Sequence, residues 1–88
     1  MITEAAPGPE KRTSSQIERL MALEKLVELL GSQKRAAEAI LVDPSSFRRK
    51  LRGDREVSAF EMKLAGDELF RLGNQMLEYA ERIRSVHA

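Results

Sequence analysis

Ser45, Ser46, Arg48, Arg49 and Arg52 crowd hydroxyls and guanidiniums into one short stretch of this 88-residue chain. A guanidinium forks two parallel N–H donors onto a pair of acceptors, such as the O6 and N7 of guanine or two phosphate oxygens. Serine hydroxyls at a helix start, together with the backbone N–H groups there, suit bases or phosphates. At helical spacing Arg48 and Arg49 stand one turn beyond Ser45, and Arg52 one turn beyond Arg48. That makes Arg48 and Arg49 the best placed for base reading. Gln33, Lys34, Lys50 and Arg55 complete the set as contacts to a phosphate backbone. The same charge run also fits the solvated face of an ordinary helix.

Other chemistries lack their residues. The chain has no Cys and a single His near its end, so structural zinc sites and thiol catalysis have no ligand set or nucleophile. Its acidic residues stand mostly at ion-pair spacing from basic ones, which explains them without acid–base catalysis. The sequence therefore predicts no enzyme, no cofactor and no small-molecule ligand. Tyr79 and the Phe residues read as core or interface groups rather than a stacking platform for single strands.

Two short helices must position the arginines. Ser32 caps the first, whose Ala36, Ala37, Ala39 and Ile40 form a small-residue face for close packing. Leu41 and Val42 make a tight turn. Asp43 and Pro44 restart the chain, the carboxylate accepting from free N–H groups and the proline fixing φ where no donor is needed. Phe47 and Leu51 face inward and Gly53 ends the helix in a left-handed cap. Net charge is only +1, but residues 33–55 carry seven basic and three acidic groups. This is the polarity of a domain that meets double-stranded DNA, with a basic helix from Pro44 to Arg52 entering the major groove.

The remainder reads as helical scaffold. Residues 1–13, with Pro7, Gly8 and Pro9, read as a disordered lead. Ser15 to Glu18 forms a capping box that opens a helix with Ile17, Leu20, Leu23, Val27 and Leu30 inward, broadened by Leu26 and Leu29 and stopped by Gly31. A second capping box, Ser58 to Glu61, opens a fourth helix that buries Phe60, Leu64, Leu69 and Phe70. Leu72, Gly73 and Asn74 offer a stop and a new cap, and a fifth helix follows to His87. Leu69, Leu72, Met76, Tyr79, Ile83 and Val86 recur at 3, 4, 3, 4, 3, the seam of a two-helix contact. That seam either joins two copies as a homodimer or folds back on the first helix of its own chain. No segment has a membrane span's length or a secretory signal's order, so the protein is read as cytoplasmic.

From Gln33 to Gly53 the chain resembles the helix-turn-helix of Cro-and-repressor (Xre-like) regulators of phages and bacteria. Ala37, Val42, Phe47 and Gly53 stand where that family places a small packing residue, the apolar residues after the turn and in the reading helix, and the closing glycine. AEAILVDPSS is similar to the equivalent stretch of phage lysogeny activators, and KLAGDELFRLG to the fourth helix of Xre-like domains. The family commonly has Gly where Leu41 stands and a bulky apolar residue where Lys50 stands. Leu41 therefore implies a turn of different shape or a leucine displaced into the core.

The resemblance implies an all-α, compact five-helix, lambda-repressor-like domain over residues 14–73, with residues 74–88 as a packing or dimerisation helix. It implies a sequence-specific transcriptional regulator, a repressor before an activator, of phage or mobile-element type. The competing class is a helical protein-interaction module, an antitoxin-like partner or adaptor, without specific DNA binding.

Overall fold

The computed structural model describes the backbone of residues 7–87 and the side chains of residues 15–86. The first six residues of the expected lead lie outside this range. All regular structure among the described residues is helical: α1 (Pro7–Leu30), α2 (Gln33–Ala39), α3 (Pro44–Leu51) and α4 (Ala59–His87).

There are four helices here where the sequence predicts five. The expected break at Gly73 is absent, and α4 runs unbroken for 29 residues. A lone glycine costs a helix about 1 kcal/mol relative to alanine. No proline follows, and Asn74 to Glu78 continue the helix, so that cost does not end it. The division at residues 73 and 74 thus falls inside one element. At the other end α1 begins at Pro7, ahead of the box at Ser15. Both Pro7 and Pro9 lie in its first turn, where backbone N–H groups have no intrahelical partner and proline is tolerated.

The core is small and aliphatic. Leu23, Leu26 and Leu30 of α1, Ala36, Ala37 and Ile40 of α2, Phe47 of α3, Val57 of the following loop and Ala65 of α4 are buried together. Small residues on α2 let its backbone approach α1 closely, as the alanine pattern implies. Phe47 is fully buried and is the largest side chain there. Truncating such a residue to alanine typically costs about 3 to 5 kcal/mol, so α3 is anchored chiefly through it.

Two predicted faces are rotated. On α1, Ile17 and Leu29 are exposed while Leu26 is buried, because the helix meets α2 and α3 through Leu23, Leu26 and Leu30. On α4, Phe60 and Phe70 are exposed rather than buried. Leu64 and Leu69 pack against the core as expected, and Met62, Ala65 and Leu72 join them there. Ala65 lets the helix come close at the point where Phe60 and Phe70 would hold it away.

Candidate nucleic-acid interface

Capping sets the unit formed by α2 and α3. Ser32 Oγ accepts from Arg35 N at 3.1 Å and starts α2. At its end, Leu41 N donates to Glu38 O at 3.2 Å and Val42 N to Ala37 O at 3.0 Å. These are the two bonds of a Schellman motif, whose pivot residue must be left-handed. Leu41 occupies that pivot with φ +63° and is 74% exposed. The turn therefore keeps the left-handed shape that glycine usually supplies, and the leucine points to solvent. Both expectations for Leu41, a different turn and displacement into the core, are corrected. Val42, one residue on, packs against the core instead.

Asp43 then caps α3. Its Oδ2 accepts from Ser46 N at 3.1 Å and its Oδ1 from Ser46 Oγ at 2.8 Å. The bonds from the Ser46 side chain and backbone hold the Asp43 carboxyl below its ordinary range. A carboxylate thus already sits at the positive end of α3, and the Ser46 hydroxyl proton is engaged there. Ser45 is exposed beside it. At the far end Gly53 takes φ +83°, with Gly53 N bonded to Lys50 O and Asp54 N to Arg49 O, a second Schellman motif.

The faces of α3 divide cleanly. Phe47, Lys50 and Leu51 turn inward, and Ser45, Arg48, Arg49 and Arg52, at spacings of 3, 1 and 3, turn outward. Lys50 is 8% exposed. Its Nζ donates to Glu56 O at 2.9 Å and meets Glu61 Oε1 at 3.1 Å. Lys50 therefore ties α3 to the start of α4 and does not serve as the phosphate contact that the sequence predicts. Its place three residues after Phe47, on the same helical face, carries the signal for this burial. Glu61 also completes the second capping box: its Oε1 accepts from Ser58 N, and Ser58 Oγ accepts from Glu61 N, each at 3.0 Å.

The connection from α3 to α4 carries Arg55 and is pinned from α1. Gln16 Oε1 accepts from Val57 N at 2.8 Å, and Val57 O accepts from Gln16 Nε2 at 3.2 Å and from Arg19 Nη1 at 2.7 Å. Sequence reasoning misses these positioning residues, since nothing local marks a pairing across 41 positions.

Outside this unit, three exposed cations are paired, while Arg82 and Arg84 are exposed and form no ion pair among the described residues. Lys25 meets Glu28, Lys63 meets Asp67, and Arg71 meets Glu68 through two bonds. Those two bonds hold the Glu68 carboxyl below its usual range and raise the Arg71 guanidinium. In the basic unit, Arg52 meets Asp54 at 3.2 Å. Lys34, Arg48, Arg49 and Arg55 are exposed and form no ion pair among the described residues. Gln33 is exposed at the start of α2.

Of the C-terminal stripe, Leu69 and Leu72 are half-buried against the core. Met76, Tyr79, Ile83 and Val86 are exposed, as are Phe70 and Leu77 beside them. The stripe therefore packs within its own chain at Leu69 and Leu72 and is exposed from Met76 onward. At its root an open groove of about 430 Å³ lies between the end of α1, α2 and α4. Leu30, Ala39 and Leu72 floor it, flanked by Arg35, Glu38 and the Glu68–Arg71 pair. Among the described residues no cluster of three or more potential ligands could hold a metal ion, and no helix is long and apolar enough to cross a membrane. Comparison with protein-family models, curated proteins and solved structures returns no match.

Proposed function

We propose that this chain is a sequence-specific DNA-binding transcriptional regulator, a repressor before an activator. In this reading α2 and α3 form a Cro-and-repressor-type helix-turn-helix within a lambda-repressor-like domain. The outward face of α3 enters the major groove, where Arg48 and Arg49 fork onto base edges and Ser45 contacts a base or phosphate. Gln33, Lys34 and Arg55 grip the flanking backbone, and Arg52 supports either role once it leaves Asp54. Two copies joined through α4 read two half-sites.

The observation that carries this reading is the adjacent pair of exposed, unpaired guanidiniums on the outward face of α3. Exposed Arg48 and Arg49 are adjacent on α3 and form no ion pair among the described residues, whereas Lys25, Lys63 and Arg71 on α1 and α4 are each matched with an acid within a turn, although Arg82 and Arg84 near the end of α4 are not. A face of unpaired guanidiniums on a helix held by a buried phenylalanine is set up for an anionic partner. With Asp43 at the N-terminus of α3, affinity has to come from these side chains rather than from the helix dipole.

The test is fluorescence anisotropy with duplex DNA across a salt series. Binding should weaken steeply as salt rises, with a log–log slope of about 0.9 for each phosphate neutralised. Arg55→Ala should lower that slope by about one without altering sequence preference. Weak, unselective binding by folded protein would favour the interaction-module class.

A further inference from the structure

We infer that Asp43, together with the Ser46 hydroxyl it holds, determines specificity by accepting from the exocyclic amino group of a cytosine in the major groove. This deepens the DNA reading just proposed, rests on it, and gives the cap of α3 a second role.

The N-terminal end of a helix ordinarily offers free N–H groups to a phosphate. Here that end is closed. Pro44 brings no N–H, Ser46 N donates to Asp43 Oδ2 at 3.1 Å, and Phe47 N donates to Asp43 O at 2.9 Å. Bonds from the Ser46 side chain and backbone, with help from the Asp43 and Ser45 backbone, keep the carboxyl below its ordinary range. A phosphate arriving there would meet a fixed negative charge.

What this end can accept follows from where its protons are. Ser46 Oγ donates its proton to Asp43 Oδ1 at 2.8 Å, which leaves the hydroxyl with lone pairs only. An ionised carboxylate has about four acceptor positions and no donor, and Ser46 fills one on each oxygen. Exposed Asp43 and half-buried Ser46 therefore present acceptors alone. Among the base edges of the major groove, guanine and thymine meet them with acceptors, and adenine sets its N7 acceptor beside its N6 donor. Each of these would bring a lone pair against the carboxylate. Cytosine, through N4, meets it with a donor alone.

The pair also lies beside the arginines without neutralising them. Ser46 stands one turn before Arg49 at the edge of the outward face of α3, and Arg48 and Arg49 form no ion pair among the described residues. A helical turn rises about 5.4 Å, against about 3.4 Å for each base step. The cytosine should therefore fall within about two base pairs of a guanine read by Arg49.

The test is selection from randomised duplex DNA with wild type and Asp43→Asn in parallel. Asparagine caps as well as aspartate, and with its Oδ1 kept on Ser46 N it turns an NH₂ donor outward. Wild type should enrich a cytosine near the arginine-read guanine, and Asp43→Asn should keep the guanine while its preference for that cytosine drops roughly tenfold. The same cytosine enriched equally by Asp43→Asn, with or without tighter binding overall, would overturn the inference. A wild-type motif without such a cytosine, whose guanines are lost in Arg48→Ala/Arg49→Ala, would overturn it too and leave the DNA reading standing. No motif at all from folded wild type would remove both. A second measurement leaves the protein unaltered: replacing that cytosine by 2-pyrimidinone, which lacks the amino group, should weaken wild-type binding roughly tenfold relative to the same replacement outside the motif. Unchanged affinity would again overturn the assignment.

Discussion

At the scale of single residues, two positions combine local strain or burial with a clear physical outcome. Leu41 holds φ +63° with its side chain in water, a conformation that costs an L-residue about 1 to 2 kcal/mol. Leu41→Gly removes that strain but adds unfolded-chain entropy of roughly 0.5 to 1 kcal/mol. The net should be a gain of about 0.5 to 1 kcal/mol in urea unfolding, with the Schellman bonds kept. Lys50 is nearly buried between Glu56 O and Glu61. Lys50→Ala strips a partner from an enclosed carboxylate and opens a cavity, for an expected loss of about 2 to 3 kcal/mol. Lys50→Met, which keeps the stem and fills the space, should lose clearly less. The same unfolding series separates the two, and equal losses would argue against the inward role of Lys50.

At the scale of elements, caps decide where helices begin and end, and much of this was legible. Ser32, Asp43, Gly31, Gly53 and the Ser58–Glu61 box all do what their residue types imply. The inward places of Phe47, Ala36, Ala37 and Ile40 follow from helical spacing alone. What was not legible depends on tertiary packing. Phe60 and Phe70 are as apolar as any core residue, yet α4 turns Ala65 inward because close approach to α1 and α2 needs a small group there. Gly73 looks like a stop, but nothing after it competes with the helix. The hydrogen bonds from Gln16 and Arg19 to Val57 join distant segments and leave no local trace. Asp43 supplies a pH prediction. Its carboxyl is depressed in the folded state, so its contribution to α3 is complete above the ordinary carboxylate value of about 3.9. That contribution fades as pH falls through the lowered native value. Wild type should therefore exceed Asp43→Ala in urea midpoint at neutral pH, and the gap should close below about pH 3.9.

At the scale of the whole molecule, a helical body and a long exposed helix divide the work. The body holds α3 through Phe47 and Lys50 and turns Arg48 and Arg49 outward. The far part of α4 leaves Met76, Tyr79, Ile83 and Val86 exposed. The most direct measurement of the central claim is selection from randomised duplex DNA at moderate salt, with wild type and an Arg48→Ala/Arg49→Ala double variant in parallel. Wild type should enrich a palindromic motif that the double variant loses while keeping its fold. No enrichment by folded wild-type protein, or the same motif enriched equally by the variant, would contradict the assignment of DNA reading to α3.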